Sequence, residues 1–207
     1  MAAQALAGAT VVHKHVRHGG TGTLEVSEDG IAFEERGAHT EHSRVWKYEE
    51  IQQLVLSQTT LRVLTYEDRE KWGLGRDREF VFEALPQDFA TTVYTMWRDK
   101  LDQRFVAAMA DPEVATLVEF PAKLRGLTKG VQGVLLFGED RIVFRAVKAG
   151  DSRTWRFGDL ENIASAGPFD FSLVAFDRGS REFRFQLQRP MEEARFNELW
   201  RRVNGRK

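Results

Sequence analysis

The histidines are the residues whose type and spacing best fit metal binding, and all five lie before residue 43. They are His13, His15, His18, His39 and His42. His13 and His15 have the i, i+2 spacing that places two side chains on one face of a strand, and imidazole is a common metal ligand. No carboxylate or cysteine completes a ligand pattern with them. We therefore expect no metal site, and we interpret the histidines as surface residues of an edge strand.

Catalytic motifs are missing from the sequence. There is no Gly-x-Ser-x-Gly elbow, no His-Glu-x-x-His and no kinase set, and the absence of cysteine excludes a thiol nucleophile and disulfides. The acidic pairs Glu34-Glu35 and Glu49-Glu50 place neighbouring carboxylates on opposite faces of a strand, whereas acid–base catalysis needs two that converge on one cleft. We therefore expect a non-enzymatic protein without a cofactor. The lack of cysteine also fits a cytoplasmic location.

Three basic residues, Lys123, Arg125 and Lys129, are candidates for contact with an anion or a lipid headgroup. Basic side chains beside a loop are attracted to an anionic membrane by about 1 kcal/mol each. The formal net charge of the chain is only −1, with 13 basic and 17 acidic residues in 1–110 and 17 basic and 14 acidic in 111–207. Neither part has the dense basic block that is typical of nucleic-acid binding. Nucleic acid is therefore a disfavoured partner.

Arginines are concentrated near the end of the chain. They either form a solvated face paired with acidic neighbours, or they bind an acidic protein surface or a nucleic-acid backbone. The members are Arg181, Arg184, Arg189, Arg195, Arg201, Arg202 and Arg206.

Four blocks of the first half recur in the second half in the same order. The pairs are GTLEVSEDGIAF (22–33) with GVLLFGEDRIVF (133–144), WKYEEIQQL (46–54) with WRFGDLENI (155–163), REFVFEA (78–84) with REFRFQL (181–187), and Trp97-Arg98 with Trp200-Arg201. Repetition of several blocks in one order indicates an internal duplication. Each copy has about 100 residues, which is enough for its own core.

Most of each copy alternates apolar and polar residues, the pattern of half-buried strands. Glu28-Asp29-Gly30 is a turn signal between two such strands. Each copy ends in an apolar stripe at helical spacing, which begins at Phe89 in the first copy and at Phe196 in the second. The sequence therefore predicts a mainly β fold in which a terminal helix covers one end of an antiparallel barrel or sandwich.

This pattern resembles the pleckstrin-homology-like superfold, and within it the GRAM and bacterial pleckstrin-homology-like domains. The resemblance rests on the hairpins GTLEVSEDGIAF and GVLLFGEDRIVF, on the steps YEEI and FGDL, and on the closing amphipathic helix. It implies a mainly β, α+β fold of two tandem barrels, each a strongly bent antiparallel sheet of about seven strands capped by one helix. The expected organisation is a flexible or short helical terminus at 1–10, domains at 11–110 and 118–207, and a linker at 111–117.

The five tryptophans are candidates for packing or for partner contacts. Trp46 and Trp155 occupy corresponding positions and either pack at a sheet margin or form an exposed anchor for a partner. Trp72 lies in a loop of the first copy, where it either contacts a partner or folds back. Trp97 and Trp200 lie on the apolar stripes of the two helices, and we expect each to plug the open end of a barrel.

The resemblance implies binding, because relatives often bind peptides by adding a strand or by docking a helix. We expect a non-enzymatic adaptor that binds an unidentified protein or peptide. Two alternatives stay open. One is a peripheral membrane protein that binds anionic lipid, and the other is a tandem module associated with histones or nucleic acid.

Overall fold

The computed structural model describes residues 6–14, 20–37, 42–68, 77–126, 129–177 and 179–205. The chain divides into two compact units, unit 1 (Met1–Phe105) and unit 2 (Val106–Lys207). Among these described residues, neither helix has the length and apolar character needed to cross a membrane.

Unit 1 consists of seven strands followed by an α-helix. These are β1 (Ala7–Lys14), β2 (Gly20–Val26), β3 (Gly30–Glu35), β4 (Arg44–Lys47), β5 (Ile51–Ser57), β6 (Thr60–Asp68), β7 (Asp77–Glu83) and α1 (Gln87–Trp97). They hydrogen-bond in the order β5-β6-β7-β1-β2-β3-β4. A further strand, β8 (Arg104–Ala108), spans the boundary between the units.

Unit 2 repeats this arrangement. Its elements are β9 (Val118–Leu124), β10 (Val131–Phe137), β11 (Arg141–Ala146), β12 (Arg153–Arg156), β13 (Leu160–Gly167), β14 (Asp170–Phe176), β15 (Ser180–Leu187) and α2 (Glu193–Asn204). The strand order β13-β14-β15-β9-β10-β11-β12 is that of unit 1, strand for strand. The molecule is therefore mainly β, with two α-helices among the described residues.

The prediction of two closed, seven-stranded barrels is wrong. In each unit the seven described strands form an open hydrogen-bonded series, from β5 to β4 in unit 1 and from β13 to β12 in unit 2. Closure of a barrel requires the first and last strands of its series to pair. Two features oppose this: β4 and β12 have only four residues each, and β13 has irregular register between Leu160 and Asn162 and between Ala164 and Gly167. Short or bulged strands disrupt the ladder at an edge.

The duplicated aromatic residues build the same cluster in both cores. The ring of Trp46 lies 4.7 Å from that of Phe80, and the ring of Trp155 lies 4.9 Å from that of Phe183. All four rings are buried. Burial of such large apolar surfaces is a main source of stability.

The repeated glycine of the first hairpin makes room for a core ring. A Cβ atom at Gly22 would lie 2.6 Å from the Phe33 ring, and one at Gly133 would lie 2.8 Å from the Phe144 ring. Both distances are shorter than van der Waals contact, so a side chain at either position would displace the ring. This close approach explains why both hairpins begin with glycine.

Helix α1 covers the core of unit 1 with Trp97. The indole is buried, and its Nε1 donates a hydrogen bond to the Tyr48 hydroxyl at 2.8 Å. That hydroxyl in turn donates to the carbonyl of Ser27 at 2.9 Å. The ring also makes an edge contact with Phe105 at 5.8 Å.

Helix α2 is oriented differently, and the prediction that Trp200 plugs the second unit is wrong. Its side chain is 45% exposed, whereas Leu199 and Val203 are buried. The apolar residues Phe89, Ala90 and Tyr94 of α1 correspond to Glu192, Glu193 and Asn197. Because these polar residues favour water, the buried face of α2 is rotated toward Leu199 and Val203.

Candidate anion-binding cleft

A small cleft of about 170 Å³ opens on unit 2, at the end of β9 and beside the start of β12. It contains more basic than acidic side chains. Its charged lining residues are Arg125, Asp151, Arg153, Arg181 and Glu182, and Phe183 lies beside them.

Arg153 is the least exposed of the three arginines. It follows a 3₁₀ turn (Ala149–Asp151), and its Nη1 donates to the carbonyl oxygens of Ser152 at 2.6 Å and Gly150 at 3.4 Å. Burial lowers the pKa of Arg153, and the charge of Arg181 lowers it further. The charges of Asp151 and Asp177 act in the opposite direction without offsetting burial and Arg181 in full, so the pKa of Arg153 stays below its ordinary value.

The two other arginines each have an acidic neighbour. Arg181 Nη1 lies 3.2 Å from Asp177 Oδ2, and its guanidinium lies 4.9 Å from the centre of the Phe183 ring. Arg125 Nη2 lies 2.6 Å from Asp170 Oδ1. Both guanidiniums are about half exposed, so these ion pairs are weak contributors to stability.

Unit 1 has the same pair of arginines, bridged by one carboxylate. Arg44 corresponds to Arg153, since each pairs with the matching phenylalanine of the preceding strand, and Arg78 corresponds to Arg181. Glu67 bridges the two, at 2.8 Å from Arg44 and 3.3 Å from Arg78. A single carboxylate therefore contacts both guanidiniums.

The carboxylate that corresponds to Glu67 in unit 2 is Asp177. Leu64 and Val174 occupy the same register position, and Glu67 and Asp177 each follow three residues later. The aspartate is shorter by one methylene and pairs with Arg181. Among the described residues, no carboxylate forms an ion pair with Arg153. Arg153 thus lacks the direct ion pair that Arg44 makes in unit 1.

Comparison with known proteins gives only distant likenesses. No protein-family model matches the chain, and no curated protein matches it either. The Spt16D Pob3N heterodimer structure is 10% identical, covering 88% of this chain and 97% of that chain, with a TM-score of 0.35. The C-terminal domain of an unknown protein from Leishmania infantum is 11% identical, covering 44% and 84%, with a TM-score of 0.36.

A third solved structure, the Bacillus subtilis inhibitor of motility MotI/DgrA, is 6% identical, covering 98% of this chain and 97% of that chain. Its TM-score is 0.19. At these scores none of the three likenesses supports a conclusion about fold or function.

Of the three predicted anion contacts, only Arg125 lines the cleft. The stem of Lys123 lies against Gly130, where a Cβ atom would be 2.3 Å from Lys123 Cε. Lys129 is exposed and does not line the cleft, although its backbone lies beside the lining residue Gly126. The sequence did not lead us to Arg153 as a candidate for anion contact. The duplication could have identified it, because Arg44 and Arg153 each lie two residues before a duplicated tryptophan.

The duplicated tryptophans do not form exposed anchors. Trp46 and Trp155 are both buried, so the alternative in which they contact a partner directly is wrong. Trp72 lies outside the described residues.

The interpretation of the histidines as surface residues of an edge strand is wrong for His13. This side chain is buried, and its strand β1 pairs with β2 on one side and β7 on the other. Its ring lies 5.5 Å from that of His42. In the part of the chain that the structure describes, no group of three or more side chains is placed to hold a metal. His15, His18 and His39 lie outside the described residues.

A buried carboxylate beside these histidines gives a prediction about acid stability. Burial alone would raise the pKa of Glu35, but hydrogen bonds from His42 and the charges of His42 and His13 lower it below its ordinary value of 4.5. A lowered pKa stabilises the fold above pH 4.5, and this contribution is lost as pH falls further. We therefore expect the melting temperatures of the parent and Glu35→Gln to converge as pH falls from 7 to below 4.5.

Thermal melts at several pH values test this expectation. Glu34→Gln is the matched control, because Glu34 is the exposed neighbour of Glu35. A difference between parent and Glu35→Gln that stays constant across this range would contradict the assignment.

Proposed function

We propose that this chain is a non-enzymatic binding protein whose unit 2 holds an acidic side chain of a partner peptide in the cleft at Arg153. The observation that carries the proposal is the difference between two matched arginines. Arg44 is paired with Glu67, whereas Arg153 donates to backbone carbonyls. A guanidinium that lacks a carboxylate is well suited to bind one in a planar, two-point geometry.

The size of the cleft limits the ligand. Its volume of about 170 Å³ is below the roughly 300–1,000 Å³ that is usual for small-molecule sites. A single carboxylate or similar anionic group fits this space better than a whole metabolite. The bound group is therefore one that a larger molecule presents.

The surrounding charges favour a peptide over a membrane. Anionic membranes are bound by clusters of uncompensated basic residues. Here Asp151 and Glu182 also line the cleft, and Arg125 and Arg181 already have acidic neighbours. A peptide can place a single carboxylate at Arg153, which brings less negative charge near Asp151 and Glu182 than an anionic membrane surface does. A cytoplasmic location, which rests on the lack of cysteine, is part of the proposal.

NMR titration of the full chain with a capped peptide that has a single glutamate, acetyl-AAEAA-amide, tests the site. We expect Arg153→Gln to weaken binding by about 10-fold or more, since a hydrogen bond to a charged group contributes roughly 1.5–3 kcal/mol. The matched control is Arg44→Gln, which removes the same charge at the corresponding position of unit 1. This control should leave the affinity for the peptide unchanged.

Three outcomes would contradict the proposal. Equal weakening by Arg44→Gln and Arg153→Gln would mean that the peptide responds to overall charge alone. Binding to phosphatidylserine vesicles at physiological salt, without binding to the peptide or to neutral vesicles, would replace the peptide by a membrane. Binding to a DNA duplex in place of the peptide would favour the nucleic-acid alternative.

A further inference from the structure

The two units present corresponding outer faces on their second, third and fourth strands. The register of β2, β3 and β4 matches that of β10, β11 and β12 pair by pair. The outward positions of unit 1, here called the unit 1 face, are Thr23, Glu25, Ala32, Glu34 and Val45. Those of unit 2, here called the unit 2 face, are Val134, Leu136, Val143, Arg145 and Thr154.

The unit 2 face is covered by the segment 106–117, which precedes β9. The Thr154 hydroxyl donates to the carbonyl of Met109 at 2.9 Å and accepts from the backbone N–H of Asp111 at 2.9 Å. Ala107 pairs with Thr154 as well. Leu136, Val143 and Thr154 are consequently buried.

Charge complementarity fixes this segment on the unit 2 face. Asp111 Oδ2 lies 2.7 Å from Arg141 Nη1, and the carbonyl of Asp111 lies 3.5 Å from Arg145 Nη2. Arg141 is buried, whereas Arg145 is exposed. The carboxylate of Asp111 therefore meets the buried Arg141, and its backbone carbonyl meets Arg145 of the face.

The unit 1 face presents two carboxylates, Glu25 and Glu34, and is exposed. At its margin Arg44 is paired with Glu67, and Arg36 donates to the Thr23 hydroxyl at 3.5 Å. Val45, which corresponds to Thr154, is 75% exposed, and the face forms an open concavity of about 410 Å³. Glu34 occupies the position that corresponds to Arg145 of unit 2, and Glu25 occupies the position that corresponds to Leu136. In the described ranges neither glutamate forms an ion pair, and no segment covers Val45.

We infer that the unit 1 face binds an extended segment of a partner protein, in the way that 106–117 lies on unit 2. The segment places an apolar side chain on Val45 and Ala32, because neither can hydrogen-bond through its side chain. It places a lysine or arginine beside Glu25 and Glu34, because a basic side chain complements these two carboxylates. This surface is separate from the Arg153 cleft, and it binds a basic segment whereas the cleft binds a carboxylate. It therefore goes beyond the proposed function.

Two synthetic peptides test the inference by NMR titration of the full chain, with the amide signals of Ala32 and Val45 as the readout. One has the sequence of 106–117, VAAMADPEVATL, and the other differs only by Asp111→Arg. We expect the substituted peptide to bind the parent at least about 10-fold more tightly, since one charge-assisted contact replaces a repulsion. In the Glu34→Arg variant the preference between the two peptides should reverse.

Two further variants control the experiment. Val45→Lys should abolish the shift of Ala32 with the substituted peptide, and the melting temperature will show that the exposed substitution leaves the fold intact. Glu139→Arg makes the same charge change at an exposed turn of unit 2 and should leave the preference unaltered.

The inference is overturned if neither peptide shifts Ala32 or Val45 at millimolar concentration, or if Glu34→Arg leaves the preference as in the parent. It is also overturned if sedimentation shows a dimer that Val45→Lys dissociates, because a second copy would then cover the face.

Discussion

Replacement of Trp97 by alanine will lower the free energy of unfolding by about 3–5 kcal/mol, the usual cost of removing a buried large aromatic ring. The indole is buried beneath α1, contacts Phe105 and donates to Tyr48. Its loss leaves both a cavity and an unpaired hydroxyl acceptor. For a chain of this size, about 1 kcal/mol changes the melting temperature by 2–4 °C, so we expect a decrease on the order of 10 °C.

The matched control is Trp200→Ala at the corresponding position of unit 2. Because that ring is 45% exposed, we expect a loss of about 1 kcal/mol or less. Trp97→Phe keeps most of the apolar volume but removes the Nε1 donor, and it should fall between the parent and Trp97→Ala. Equal melting temperatures of Trp97→Ala and Trp200→Ala would contradict the conclusion that α1 buries its tryptophan whereas α2 leaves its tryptophan exposed.

Replacement of Asp111 by alanine will destabilise unit 2 by about 3 kcal/mol, because it leaves the buried Arg141 charge without this partner. Arg141 retains two hydrogen bonds to Asp140, which keeps the loss at the lower end of the range for broken buried pairs. The substitution also removes the hydrogen bond from the Glu113 N–H to Asp111 Oδ1. Thermal and urea unfolding monitored by circular dichroism will measure the change.

Two comparisons distinguish this effect from a general loss of surface charge. Asp170→Ala removes a half-exposed ion pair with Arg125 and should cost about 1 kcal/mol or less. Combining Asp111→Ala with Arg141→Leu should recover part of the loss, since replacing both members of a buried pair by apolar groups is often tolerated. Equal melting of Asp111→Ala and Asp170→Ala would contradict the role of the buried pair.

The sequence by itself determined the local elements and their repetition. Alternation of apolar and polar residues predicted the hairpin of β2 and β3, and the recurrence of that hairpin as β10 and β11 follows from the matched blocks. These features are local: a strand buries every second side chain, and a glycine is required where a backbone passes a ring. The terminal helices were predictable for the same reason.

Only the tertiary structure decided which edges pair, which helix face is buried and which charges are neutralised. Alternation shows which side of a strand is apolar, but not that the strand series of each unit stays open. Trp200 and Trp97 match in sequence, yet the surrounding polar residues of α2 change its buried face. Arg44 forms an ion pair with Glu67, whereas Arg153 forms none with Asp177, the corresponding residue, which is one methylene shorter. Such differences depend on contacts between residues far apart in the chain, and the residues that supply them cannot be identified from either copy alone.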